Sequence, residues 1–144
     1  MKESAYIVNV DGAVVRDGEY LFIERGEKED HAAGILSFPG GKIEATDGGD
    51  AIRAAARREI AEEVGVEVGT VEYVTSSMFE DDTGTPCLNV VTLCEYVDGE
   101  AHAKATDEVA TIHWLSPTEA RDHDDVPRFV AEYVDTVEAV RADE

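Results

Sequence analysis

Glu59, Glu62 and Glu63 recur at the i, i+3, i+4 spacing within Arg58-Glu59-Ile60-Ala61-Glu62-Glu63-Val64-Gly65. At roughly 100° per residue a helix gathers such positions on one face. The apolar residues Ile52, Ala55, Ala56, Ile60 and Val64 recur at helical spacing as well. The pattern therefore predicts an amphipathic helix over about 51–64, started at Asp50 as N-cap and stopped at Gly65, whose backbone tolerates the left-handed conformation of a C-cap. Three carboxylates on one face repel one another and raise each other's pKa unless a cation offsets them. Hard divalent ions take such oxygen ligands, often together with phosphate oxygens. The same spacing also describes a solvated face of an acidic helix, so the flanking residues have to decide.

Upstream lies Phe38-Pro39-Gly40-Gly41-Lys42-Ile43-Glu44, followed by the loop Thr46-Asp47-Gly48-Gly49-Asp50. Gly40 and Gly41 carry no Cβ, so a ligand or another chain segment can approach their backbone closely, and a carbonyl there can complete a metal shell. Lys42 can reach a phosphate, and Arg58 can orient Glu59 through a charge-assisted hydrogen bond.

The remainder reads as a mixed sheet between helices, an α/β fold in one domain spanning 1–144. Ala5 to Val15 reads as a strand broken by a turn at Asp11-Gly12, and Tyr20 to Glu24 as a second strand. Strands are expected near 71–78 and 87–97, joined by the turn Asp81-Asp82-Thr83-Gly84, and near 111–115. Ser116-Pro117 marks a helix start. Val126, Phe129, Val130, Tyr133, Val134, Val137 and Val140 form the apolar stripe of a last helix. Cys87 and Cys94 fall seven apart on one strand, roughly 23 Å at 3.3 Å per residue, which excludes a disulfide and puts them on opposite faces as packing residues.

The formal net charge is −21, from 33 Asp and Glu against 12 Lys and Arg, of which only four are Lys. That charge opposes nucleic-acid polymers and anionic membranes as partners. It also repels itself at low salt and is relieved as the Debye length shrinks. An acidic, Lys-poor chain of this kind resembles the proteins of salt-loving archaea. No apolar run is long enough to span a membrane, and Met1-Lys2-Glu3-Ser4 lacks the layout of a signal peptide, so the expected location is cytoplasmic.

The run from Gly41 to Val66 resembles the Nudix box, G-x5-E-x7-R-E-U-x-E-E-x-G-U, where U is aliphatic. Arg58, Glu59, Ile60, Glu62, Glu63, Gly65 and Val66 match its second half. The first half departs. Counted from Gly41, the isolated Glu of the box falls on Asp47; counted back from Arg58, it falls on Asp50. Three extra residues lengthen the loop, and Asp50 is taken as the helix-side equivalent. His31 to Glu44 is similar to the segment that precedes the box in the MutT-like branch, and Tyr20 to Arg25 and Trp114-Leu115-Ser116 resemble segments found in many members of the family.

The resemblance implies a Nudix-type α/β/α sandwich that hydrolyses a nucleoside diphosphate linked to another group, with Mg²⁺ or Mn²⁺. It implies Glu59, Glu62 and Glu63 as metal ligands, with the Gly41 carbonyl as an addition, and Glu59 as the group that deprotonates or orients water. Some members use a Glu from a distant loop, a position that Glu108 matches here; a surface Glu is the other reading. Arg25 and Lys42 are the implied phosphate contacts. Phe38 either stacks on a base or packs in the core, and His31 either lines the pocket or is exposed. The substrate implied is a nucleoside triphosphate, oxidised ones included, cleaved to monophosphate and pyrophosphate; ADP-ribose or another dinucleotide is the alternative. A nucleotide sensor without catalysis is a further alternative, which the three intact glutamates disfavour. Many members are dimers, so a homodimer is open.

Overall fold

The computed structural model describes residues 5–26 and 34–143. Its strands are β1 (Ile7–Arg16), β2 (Glu19–Arg25), β3 (Leu36–Ser37), β4 (Gly40–Lys42), β5 (Glu67–Glu80), β6 (Pro86–Asp98) and β7 (Val109–Leu115). Its helices are α1 (Ala51–Val64), α2 (Pro117–Asp122) and α3 (Arg128–Ala142), with a 3-10 turn at Ala45–Asp47 before α1. The sheet runs β3-β2-β1-β6-β5, with β4 paired to β1 and β7 to β2. The β1–β6 pair is parallel and the others are antiparallel. Among the described residues no helix is long and apolar enough to cross a membrane.

Two apolar layers cover the two faces of the sheet. On one face, Ala55, Ala56, Ile60 and Val64 of α1 pack against Val10, Val14, Leu21, Ile23, Val90 and Cys94. On the other, Val130, Val134 and Val137 of α3 pack with Ala13, Tyr20, Phe22 and Val91. The α/β/α layering is thus the one the alternation of elements predicts. It lets β1 and β6 bury both faces, which explains why they read as nearly continuous apolar runs.

Three local expectations change, and one open alternative, that of Phe38, is decided. Asp11-Gly12 is not a turn: β1 runs unbroken, and Gly12 marks where α1 presses on the sheet, since a Cβ there would lie 2.5 Å from Ile60 Cδ1. Ile52 and Phe129, expected in buried stripes, are 37% and 55% exposed; both sit in the first turn of their helices. Asp50 does not cap α1 through its side chain. Its backbone is left-handed and its carboxylate turns to Arg53, 3.0 Å away. Phe38 is a core residue, 2% exposed and stacked on Phe22 at 5.4 Å between ring centroids.

Other expectations stand. Gly65 ends α1 in the left-handed region at φ 72°. Ser116 caps α2 in a reciprocal box with Glu119. Cys87 and Cys94 are buried and free, and burial pushes the Cys94 thiol up to about 11, so it stays protonated at neutral pH.

Candidate active site

The site is built where β4 meets the last turn of α1. β4 pairs with β1 through Val10↔Gly41 and Asp11↔Gly40. Because successive residues of a strand face opposite sides, the two glycines open in opposite directions. A Cβ on Gly41 would meet Glu59 Cδ at 2.5 Å, whereas one on Gly40 would strike the Val10 carbonyl at 2.2 Å and Asp11 Oδ1 at 2.8 Å. Both positions require glycine, for two different contacts.

Glu63 points from α1 toward β4 and accepts the Gly40 N–H at 2.9 Å. It is 4% exposed. Burial pushes its carboxyl up to about 8; the Gly40 hydrogen bond opposes that shift, and the neighbouring charges of Glu59 and Glu108 reinforce it. Glu59, half-buried beside it, is raised in the same direction, first by burial and then by Glu62 and Glu108, against the pull of Arg58.

Glu108 arrives from far along the chain, and the backbone shows how. Residues 102–105 strap the open end of α1: the His102 N–H donates to the Val64 carbonyl, and those of Lys104 and Ala105 to the Glu63 carbonyl. These bonds satisfy carbonyls that a helix end leaves unpaired. The strap continues into a turn in which the Glu108 N–H donates to the Ala105 carbonyl and the Glu108 carbonyl accepts from the Gly26 N–H. The result is that Glu59, Glu63 and Glu108 each present an oxygen within 4.8 Å of the other two.

Arg58 locks the entrance to the helix. Its Nε and Nη2 hold the two oxygens of Asp47 at 2.8 and 3.1 Å, its Nη1 donates to Glu59 Oε1 at 2.7 Å, and Nη2 also reaches the Lys42 carbonyl at 3.1 Å. One guanidinium thus ties the loop, β4 and a cluster carboxylate together, which the fork of five donors permits and an ammonium does not. Arg58 holds the Asp47 carboxyl below its usual range. The assignment of the isolated box carboxylate to Asp50 is therefore corrected: Asp47 engages Arg58. The three extra residues lie after Asp47, and Asp50 pairs with Arg53 on the surface.

Glu62 is not drawn into the cluster. It lies on the exposed edge, 59% exposed, with one oxygen 3.5 Å from Arg58 Nη1. Lys42 is exposed at the end of β4. Arg25, at the end of β2, opposes through its charge the upward shift that burial imposes on both Glu63 and Asp11. His31 lies outside the described residues. Phe38 is held in the core, stacked on Phe22 and Tyr20 of β2.

Sequence reading overlooked a second polar group, on the other side of β4. Asn9 and Asp11 on β1 and Asn89 on β6 hydrogen-bond to one another within a sheet that is otherwise apolar there. The signal was available: Asn9-Val10-Asp11 places two polar residues at i, i+2 on a buried strand.

Three oxygen donors, one buried, one half-buried and one exposed, mutually repelling and set beside the two glycines of β4, fit a hard divalent cation and offer no ligand suited to a soft one. The match of residues 6–136 to the NUDIX domain accounts for this arrangement. The chain belongs to the Nudix family. Across 140 residues it is 31% identical to a putative 8-oxo-dGTP diphosphatase 2 of Mycobacterium tuberculosis, covering 93% of this chain and 92% of that protein. Over 75 residues it is 37% identical to the CTP pyrophosphohydrolase of Escherichia coli, covering 51% and 53% of the two chains. Its fold superimposes on a MutT NUDIX hydrolase from Burkholderia pseudomallei with a TM-score of 0.79 at 24% identity, over 93% of this chain and 99% of that one. In this Nudix chain the box helix is α1, and the carboxylates Glu59 and Glu63 that enter the cluster both belong to it.

Proposed function

We propose that this chain is a Nudix hydrolase that uses Mg²⁺ or Mn²⁺ to cleave the pyrophosphate linkage of a nucleoside triphosphate, oxidised ones included, giving the monophosphate and pyrophosphate. The observation that carries the reading is the convergence of Glu59, Glu63 and Glu108 beside Gly40 and Gly41 of β4. These three are the groups that would hold the ion, with Glu62 and the Gly41 carbonyl at the margin of the shell. When bound, such an ion lowers the pKa of a water and neutralises developing charge on a phosphoryl oxygen.

The chain's own residues do the rest. Glu59 is held at one oxygen by Arg58, which leaves the other to orient a water and accept its proton. Burial that raises the Glu59 pKa makes it a better base than a solvated carboxylate. Arg25 and Lys42 are the cations that would supply positive charge to the phosphates, since phosphoryl transfer depends mainly on positioning and charge stabilisation. The names of the M. tuberculosis and E. coli relatives support a nucleoside triphosphate over ADP-ribose or another dinucleotide.

We take the chain as one cytoplasmic domain adapted to high salt, as its charge of −21 suggests, with a nucleotide rather than a nucleic-acid polymer or membrane as partner and a homodimer as its assembly. The test is turnover of nucleoside triphosphates with and without Mg²⁺ at high salt, beside Glu62→Gln and Glu63→Gln. Metal-dependent release of pyrophosphate that falls in the variants supports the reading; turnover untouched by either substitution contradicts it.

A further inference from the structure

The hydrogen-bonded group behind β4 has the chemistry of a base-reading edge. Asn9 Nδ2 donates to Asp11 Oδ1 at 3.0 Å and to Asn89 Oδ1 at 2.7 Å; Asn89 Nδ2 donates to Asp11 Oδ2 at 3.0 Å and approaches the Tyr133 hydroxyl at 3.3 Å. Tyr133 in turn pairs with Ser77 Oγ at 2.6 Å. A cluster with this many side chain to side chain bonds is unusual, because most side-chain hydrogen bonds go to backbone or water. Its members come from β1, β5, β6 and α3, so it does not cap any one element.

The pattern fixes the direction of the Asn9 amide. Both of its acceptors lie on the nitrogen side, so the nitrogen turns inward and Oδ1 turns away. That Oδ1 meets no donor among the described residues, and it is not a sealed atom. Asp11 is the residue that holds this orientation, with both of its oxygens engaged by the two amides. The open edge of the group is therefore an acceptor. On the same face of the sheet two aromatic rings are left exposed: Phe129, 55% exposed and edge-on to Tyr133 at 6.1 Å, and Phe79, 48% exposed and two residues along β5 from Ser77. A flat apolar surface beside a hydrogen-bonding edge is what a nucleobase requires.

The distance to the acidic cluster is short. Asp11 Oδ1 lies 2.8 Å from where a Gly40 Cβ would stand, and the Gly40 N–H bonds Glu63. Gly40, which has no side chain, is the one residue that stands between the two groups, so they adjoin across β4.

We infer that Asn9, oriented by Asp11 and Asn89 on the sheet face that also exposes Phe129 and Phe79, selects a substrate whose base carries an exocyclic amino group at the place of cytosine N4 or adenine N6, over one with a carbonyl there, as uracil and thymine have. An amino N–H donates to Asn9 Oδ1; a carbonyl oxygen at the same place would face it acceptor to acceptor. This rests on the nucleotide reading of the neighbouring cluster and deepens it.

The experiment is calorimetric titration of the full chain with CMP and with UMP, which differ in that group, in Mg²⁺ and high salt, so that binding is read without turnover. CMP is expected to bind about tenfold tighter than UMP, the discrimination of one good base contact. Asn9→Ala and Asn9→Ser, each checked for an unchanged melting temperature, bring the two affinities to within about threefold by weakening CMP. Phe129→Ala weakens both nucleotides alike. Equal binding of CMP and UMP by the unaltered chain, or heat from neither, overturns the inference, as does a preference that survives both Asn9 variants. Failure of turnover with the CMP preference intact would strike the hydrolase reading and leave this one standing.

Discussion

Gly40 donates its N–H to Glu63 Oε1 at 2.9 Å, so a residue without a side chain on β4 holds the most buried carboxylate of α1. Its neighbour Gly41 lies flat against Glu59. The two glycines therefore fail differently when a methyl group is added. Gly41→Ala meets the far end of a side chain that can swing aside, so the fold is retained while Glu59 is displaced. Activity is expected to fall by about 100-fold, the effect of a misplacement of about 1 Å at a reacting group. Gly40→Ala meets backbone and costs stability, about 1–3 kcal/mol for an overpacked contact. Paired melting curves and rate constants for the two variants distinguish these outcomes.

Asp47 and Asp50 separate in the same manner. Asp47→Asn weakens the grip on Arg58 and, through it, on Glu59; a loss of about 10–100-fold in metal affinity or rate is expected, as for residues that orient metal ligands. Asp50→Asn touches only a surface pair with Arg53 and should leave both unchanged. Metal titrations of the two variants check this.

Metal-free stability should fall as pH rises. The Glu63 carboxyl is raised from 4.5 to about 8 by burial, so between those values the folded chain holds a proton that the unfolded chain has released. Stability then declines with pH across that window, and is fully retained below it. Asp11, raised to about 6 by burial, adds to the decline between its ordinary value and 6. Melts in chelator from pH 5 to 8 should drop by on the order of 5 °C, and Glu63→Gln should flatten the curve. Self-repulsion of the other acids affects both chains alike, so the difference between them isolates Glu63.

Salt should stabilise the chain. With a charge of −21, shortening the Debye length from about 10 Å at 0.1 M to about 3 Å at 1 M removes most repulsion between exposed carboxylates. A melting temperature that rises steadily with KCl, more than with an equal concentration of a neutral osmolyte, is the expected result.

Much of this was legible before any coordinates. The α1 helix and its C-cap at Gly65 follow from periodicity and one glycine, because helix signals are local. The capping of α2 by Ser116 is local as well. What the chain alone concealed depends on distant partners. Phe38 reads equally as base platform or core until Phe22 and Tyr20 are seen stacked against it. Asp47 and Asp50 are indistinguishable by counting through a lengthened loop, and only the reach of Arg58 selects one. Gly12 looks like a turn because Asp-Gly is turn chemistry, yet it serves the contact with Ile60. Asn9 and Asp11 show locally as two polar positions on one strand face, but their pairing with Asn89, 80 residues on, does not.

The carboxylate cluster makes the central claim: it is there to hold a divalent ion. Titration of Mn²⁺ into the full chain at high salt, followed by electron paramagnetic resonance, tests it most directly. One tight class of sites is expected in the unaltered chain. It should weaken at least about tenfold in Glu63→Gln and in Glu108→Gln, and less in Glu62→Gln, whose carboxylate lies outside the cluster. Mn²⁺ binding that is unchanged by Glu63→Gln and Glu108→Gln, with both variants folded, would contradict the account.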